Sequence, residues 1–504
     1  MKCKLYDGRE WDPQSLTRRN LLQWAGLAIT AGALPVATPG TALAACQATA
    51  SKNNESVINP LSTYMSEAAN HALPDEVVEK TKHHILDTLA AMISGTGLLP
   101  GQRALQFAQA YGGKEVSTVV GSKIVCGAIE AALANGVLAH ADETDDSHAP
   151  SQSHPGCAVV PAALAAGERF HINGTHFLRA VALGYDIGTR VTVTLGGQLF
   201  EAESHWSTHS ISPLFGAAAA ASCAASLNAQ QMRWMLGYTA QQSCGLGAWN
   251  RDTEHIQKAF LFGGMNARSG VTSALLAQAG WTGVDDIFSG KDNFFLAYNP
   301  KADPGGLIDK LGERYEVTRT NIKKWPVGSP IQAALDALEI LRQQHPFAAN
   351  EVQQVTVRLA TDEAAIVNNR EIPDICVQHM LAVALLDKTV SFASAHDRAR
   401  MKDPAVLRER AKITLVPDAE LERLMPLRVA ILEITLADGT RLTRRVDNVR
   451  GTPENPMTRE EVLTKVRDLI TPLLGAAKCN NLLDKIIGIE SVADICELRP
   501  ELQL

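Results

Sequence analysis

The sequence predicts a mainly α fold: a large helical domain, then a smaller α+β domain, then terminal helices. Three observations predict it. Aromatic residues make up only 5% of the chain while Ala and Gly are plentiful, and runs such as FGAAAAASCAAS (215–226) suit closely packed helices. From Pro74 to about Leu311 apolar residues recur at helical spacing, with no strong alternating run. After Val327 alternation sets in. The 504 residues, 46% of them apolar, suffice for two or three packed cores.

The elements follow in order. Ser15-Leu16-Thr17-Arg18-Arg19-Asn20-Leu21-Leu22 is a twin-arginine pattern, Trp24 to Val36 is moderately apolar, and Ala42-Leu43-Ala44 is an A-x-A cleavage site. Residues 1–44 are therefore expected to be a signal for the twin-arginine export machinery, and the mature protein to be periplasmic or otherwise exported. The apolar run is too short, and too broken by Gly and Pro, to span a membrane. The polar stretch within 45–56 reads as a linker. In the helical domain, placed at 57–320, Asp75 and Glu76 open a helix at its positive end, Val77, Thr81, Ile85, Leu89 and Met92 line one face, and Gly95 ends it. Ala128 to Leu138, Phe177 to Val193 and Leu214 to Ala229 are further helices. The α+β domain, 321–446, holds strands at Val352 to Leu359 and Ala430 to Leu436, with a hairpin turn at 437–440 before Arg441 to Val446. In 447–504 helix returns at Thr458, where Thr458-Arg459-Glu460-Glu461 is a capping box.

The net charge of −7 gives no reason to expect nucleic acid or an anionic membrane as partner, so an anionic substrate would need a local positive pocket. The nine cysteines contain no C-x-x-C, which argues against a Cys-held zinc or iron–sulfur site.

Four clusters carry candidate chemistry: AHADETDDSHAPSQSHPG (139–156), HWSTHS (205–210), EHIQKAFLFGG (254–264) with Arg268 beyond it, and KKWPVGSP (323–330). Each has a bland reading, as a solvated helix end, a capping histidine, a surface lysine or a basic linker. Carboxylates and imidazoles this close could bind a metal or pass protons.

Taken together and in this order, AANGVLAHADETDDSH…SHPG, THSISPLFGAAAAA, QKAFLFGGMNARSG and KKWPVGSP resemble the MmgE/PrpD family, which includes 2-methylcitrate dehydratases, cis-aconitate decarboxylases and an iminodisuccinate epimerase. The resemblance runs from about Val57 to the C-terminus. It implies an α+β lid over the helical domain, C-terminal helices returning to that domain, a site between the two parts, a homodimer, and no metal or cofactor. Residue by residue, it places Asp145, Asp146 and Ser147 in the family's D-D-T segment and His154 in its H-P. It places His209 at the head of the Ala-rich helix, and Lys258 and Lys323 as lysines lining the site. Two positions depart from the decarboxylases: Gly328 stands where they carry a histidine, and no tyrosine occurs near Ile366 to Arg370.

The shared hard step of such reactions is charge on a carbon beside a carboxylate. It needs cations for the carboxylates and a base near neutrality. Lys258, Lys323 and Arg268 are the candidate cations, and His154 and His209 the candidate base and acid. Asp145 or Asp146 would orient a histidine, with Ser147 and His148 beside the substrate. The expected reading is a metal-independent lyase, dehydratase or decarboxylase type, acting on a small di- or tricarboxylate. An epimerase on the same site, a metal-dependent hydrolase and a non-catalytic carboxylate-binding protein are the alternatives. His154 is expected to titrate near neutrality, with helix resuming after it by Val160-Pro161-Ala162.

Overall fold

In a computed structural model the described residues are 56–504, and Ser56–Leu504 form one compact unit. The twin-arginine pattern, the A-x-A site and the linker up to residue 55 lie outside the described residues. The expected class holds: the fold is mainly α with a smaller α+β part.

Helices Asp75–Gly95, Ala128–Ala139 and Gly156–Phe170 share one core, in which Ile85, Leu89, Ala131, Leu138, Val160 and Leu164 are buried. The C-terminal helix Arg459–Ile487, kinked at Gly475 where φ is 79°, lays Val462, Val466, Leu469 and Leu482 into the same core. Its N-terminus is the capping box read from sequence, with the Thr458 side chain accepting from the Glu461 N–H. A second helical core forms around Gly174–Leu195 and Thr208–Ala224.

Two helix limits differ from expectation. The apolar run 214–229 divides: one helix spans Thr208–Ala224, and Asn228 caps the next, Ala229–Gln242, through a capping box with Gln231. Helix also resumes at Gly156 rather than near Val160, so Pro161 lies inside Gly156–Phe170. The early start follows from a buried carboxylate, because Asp146 Oδ1 accepts the Gly156 N–H at 3.0 Å.

The α+β part holds a four-stranded sheet in the order Ile413–Asp418, Val352–Ala360, Ala430–Leu436, Arg441–Val446; the first pairing is parallel and the others antiparallel. Val355, Val357 and Leu359 alternate inward and share a core with Leu432, Ile434 and residues of helices Ser329–Gln344 and Val377–Asp387. Among the described residues the seven cysteines are free thiols, and no helix is long and apolar enough to cross a membrane.

Candidate active site

The loop between helices Ala128–Ala139 and Gly156–Phe170 carries four buried carboxylates, and each has different partners. Asp142 Oδ1 accepts the Thr144 N–H at 3.1 Å, and Oδ2 lies 2.9 Å from His396 Nε2. Glu143 pairs with the Lys258 ammonium, while its backbone carbonyl accepts from Lys323 Nζ at 2.8 Å. Asp145 Oδ2 takes His140 Nδ1 at 2.9 Å, and its Oδ1 lies 3.2 Å from His154 Nδ1, within ion-pair reach though not aligned as a hydrogen bond. Asp146 accepts from His84 Nδ1 at 2.8 Å, from the Tyr185 hydroxyl and from Gly156 N–H.

Phe262 organises the rings. It lies in a π-helical turn, Phe260–Gly264, which joins the short helix Ile256–Ala259 to Met265–Gln278. Such an expanded turn shifts the side chains that follow it, a local distortion often found at functional positions. The turn approaches the Ala128–Ala139 helix so closely that a Cβ on Gly263 would sit 1.9 Å from the Gly136 carbonyl oxygen. The contact lets the rings meet: His140 and His209 each stack on Phe262 with centroids 4.4 Å apart. His154 lies 5.0 Å from His140 and 5.4 Å from His209, and His255 lies 5.2 Å from His140. Lys258 Nζ sits 5.2 Å from both the Trp249 and Phe262 ring centroids, so its charge rests on two π faces as well as on Glu143.

Burial and charge act against each other here. Burial would raise Glu143 and Asp145. The groups facing them outweigh it and hold both well below the usual carboxylate range: Lys258, then His255 and Lys323, for Glu143; His140, then His154 and Lys323, for Asp145. Burial pushes His154 down to about 4 even against the pull of Asp145. The expectation that His154 titrates near neutrality is thereby corrected, because desolvation wins over the neighbouring carboxylate. Burial, then the neighbouring His154 and Lys258, hold His209 well below its ordinary value. Burial and Lys258 bring His255 to about 3. At neutral pH these three rings are neutral: bases, not acids.

Five buried polar atoms in this cluster have no hydrogen-bond partner among the described side chains: His140 Nε2, Asp145 Oδ1, His154 Nδ1, His209 Nδ1 and His255 Nε2. Such atoms cost free energy unless a ligand or water meets them. Two trios, His140–Asp145–His154 and His140–Glu143–His255, bring potential metal ligands within 4.8 Å of one another. Each trio's carboxylate already faces ammonium groups. Lys258 pairs with Glu143, and Lys323 Nζ lies 3.7 Å from Asp145 Oδ1 and 4.0 Å from Glu143 Oε2. A divalent ion would have to displace those charges, whereas an anionic ligand would be drawn to them.

The residues singled out from sequence divide accordingly. His154, His209, Lys258, Lys323 and Asp145 come together around Phe262. Asp146 is used up in anchoring the start of the Gly156–Phe170 helix. His148 is locked between Ser151 and Glu316, and Ser147 pairs through its backbone with Asn321. Arg268 is exposed one turn beyond the cluster. A cleft of about 180 Å³ adjoins the cluster, lined among others by Ser147, Asn321, Lys323, Arg319, Arg428 and Arg450. Gly328 precedes the Ser329–Gln344 helix and donates its N–H to the Asp374 carbonyl at 2.9 Å. Sequence reasoning did not select His140, Glu143, His255 or Phe262, although all four stand inside the quoted clusters. It missed His396 and Asp374 entirely, since neither has a local signal.

Comparison with known proteins joins this geometry to the sequence resemblance. Residues 59–306 match the MmgE/PrpD N-terminal domain and residues 325–487 the MmgE/PrpD C-terminal domain. The chain is 25% identical over 476 residues to a cis-aconitate decarboxylase-like protein of Aspergillus oryzae, covering 87% of this chain and 95% of that protein. It is 24% identical over 484 residues to the cis-aconitate decarboxylase of Aspergillus terreus, covering 90% and 97%. To the enzyme of the same name from Mus musculus it is 24% identical over 449 residues, covering 84% and 88%.

Proposed function

We propose that this chain, which belongs to the MmgE/PrpD family, is a metal-independent lyase of a small di- or tricarboxylate, working by proton transfer at a carbon beside a carboxylate. The observation that carries the reading is the His154–Asp145 pair set between Lys258 and Lys323. With Asp145 beside Nδ1, the neutral His154 ring is assigned its proton on Nδ1 and its lone pair on Nε2. Nε2 then takes the proton from the substrate carbon. The C–H electron pair moves into the adjacent carboxylate, and the resulting ene-diolate charge is held by the ammonium groups. Expulsion of hydroxide from the neighbouring carbon, which leaves as water with the proton that His154 Nε2 has taken up, completes a dehydration. In a decarboxylation the pair comes instead from the bond to the departing CO2, and a proton is delivered to the carbon.

The names of the relatives favour decarboxylation. Neutral histidines beside the acidic loop also allow a route that begins with abstraction, as in dehydration. Epimerisation on the same site, with His209 as the second proton carrier, is the alternative that this observation keeps open. Lys258 would meet a substrate carboxylate in competition with Glu143, so substrate entry is expected to loosen that pair. Export by the twin-arginine machinery and a homodimeric state belong to the same proposal. Replacing Arg18 and Arg19 by lysine should retain the protein in the cytoplasm, and normal export of that variant would remove the export reading.

The test is a turnover screen of chelator-treated protein against small di- and tricarboxylates, read by proton NMR. Loss of water or CO2 from one of them supports the reading, and inversion without loss selects the epimerase. Activity that disappears with the metal and returns on adding it back rejects metal independence.

A further inference from the structure

We infer that His396 is a positioning residue, an imidazolium shared by Asp142 and Asp374 that fixes the acidic loop of the site and ties it to the α+β part. The inference rests on the proposed site around residues 140–154.

Its basis is the set of groups that surround the two ring nitrogens. His396 ends the short helix Phe392–His396, and its Nδ1 lies 2.8 Å from the Phe392 carbonyl oxygen. Its Nε2 lies 2.9 Å from Asp142 Oδ2 and 3.8 Å from Asp374 Oδ2, within ion-pair reach of both though not aligned as a hydrogen bond to either. A carbonyl on one side and carboxylates on the other are all acceptors, so a ring placed among them is favoured with a proton on both nitrogens. The side chain is only 14% exposed. Asp142 and Asp374 face it directly; behind them stand Glu143 and Lys258, whose charges act on Asp374. Burial would lower His396, but Asp142 and then Asp374 outweigh it and lift the ring to about 9.

The joint spans three segments. Asp142 orders the turn by binding the Thr144 N–H and hydroxyl, and the Thr144 carbonyl accepts from Lys465 Nζ at 2.9 Å. Glu143 and Asp145, which face Lys258 and the histidines, flank that pinned residue. Phe392 packs against the helical core, and its N–H donates to Asp468 of the C-terminal helix at 3.1 Å. Asp374 belongs to the α+β part and accepts the Gly328 N–H, shortly after Lys323. Neutralising His396 would leave two buried carboxylates facing each other across this joint. The loop would then lose the cation that fixes its turn.

The test uses the full chain, His396→Gln, His396→Lys and Asp142→Asn. In the wild type the His396 ring, assigned in NMR by its loss in His396→Gln, should titrate near pH 9. Titration at or below 6.5 overturns the proposal. At fixed neutral pH, His396→Gln should lower amide-exchange protection of residues 140–147 by at least about tenfold while the Thr208–Ala224 helix keeps its own. Unchanged protection of the loop overturns the proposal. With a substrate in hand, kcat should fall about tenfold with KM within about twofold, and the alkaline limb near pH 9 should vanish. His396→Lys should regain part of the loss. If His396→Gln fails to fold, Asp142→Asn decides: it should bring the ring's titration down by at least about one pH unit, and an unmoved titration overturns the proposal. Ring titration and loop exchange need no substrate, so they stand even if no polycarboxylate is turned over and the lyase reading falls.

Discussion

Around Phe262, the His140, His154 and His209 rings and the Asp145 carboxylate come from neighbouring helices and one loop, with His140, His154 and Asp145 buried. Across the seam toward the α+β part, Lys323, His396 and Asp374 come from separate stretches and meet the helical half mainly through charge. The first region is built by shape: glycine contacts and ring stacking place the imidazoles. The second is built by ion pairs, and its geometry depends on which groups hold protons. A site assembled this way can keep its bases rigid while its cations rearrange around a substrate.

The sharpest way to break the comparison is Asp145→Asn. It keeps the shape but removes the carboxylate that orients both His140 and His154, so kcat should fall by about 10²–10⁴-fold with modest change in KM. A loss confined to KM would make Asp145 part of the substrate's charge environment rather than the base's orienter.

Lys258→Met comes next. It removes charge from a pair whose partner is buried, so stability should drop by about 3–5 kcal/mol and kcat/KM by at least about a hundredfold. The double variant Lys258→Met with Glu143→Gln should recover most of the stability, measured by denaturant unfolding, and none of the activity. Recovery of both would make the pair structural.

The pH profile of stability separates the two regions. His154 and His255 are depressed, to about 4 and about 3, from an ordinary 6.5. Their contribution is therefore complete above pH 6.5 and lost as pH falls through those lower values. His396 is raised to about 9, so its contribution is complete below 6.5 and lost as pH rises through about 9. Tm should fall on both sides. His154→Gln should soften the acid limb alone, and His396→Gln the alkaline limb alone. Coinciding limbs in both variants would dissolve the distinction. The smallest expected effect is Arg268→Ala, an exposed side chain outside the cluster, which should change kcat/KM by less than about twofold.

The same contrast decides what the sequence could disclose. Helical periodicity, the alternation from Val355 to Leu359 and the Thr458 capping box are local signals, and they place their elements within a few residues. Within 214–229 the helix end is not legible, because apolar composition continues across an end that is set by Asn228. In the site, Asp145, His154, His209, Lys258 and Lys323 were legible because they sit in compact motifs. Which of two adjacent aspartates faces His140 and His154 is not legible: Asp146 is drawn away by His84 and Tyr185, both far off in sequence, and by the Gly156 N–H. His140 and Glu143 were in view but passed over, since helix-end residues look solvated until burial is known. His396 and Asp374 depend wholly on long-range packing. The His154 titration was misread for the same reason, because the degree of desolvation is a property of the fold and not of neighbours along the chain.

The central claim is that neutral His154, held by Asp145, moves the proton without a metal. Its most direct test follows the substrate carbon by proton NMR in heavy water, using chelator-treated wild type and His154→Gln with the best carboxylate from the screen. The account predicts deuterium incorporation or product formation by wild type, undiminished by chelation, with an acid limb nearer pH 4 than 6.5. It predicts that His154→Gln, folded and still binding the carboxylate, falls by at least about a hundredfold in that exchange. Exchange that persists in His154→Gln at the wild-type rate would contradict it.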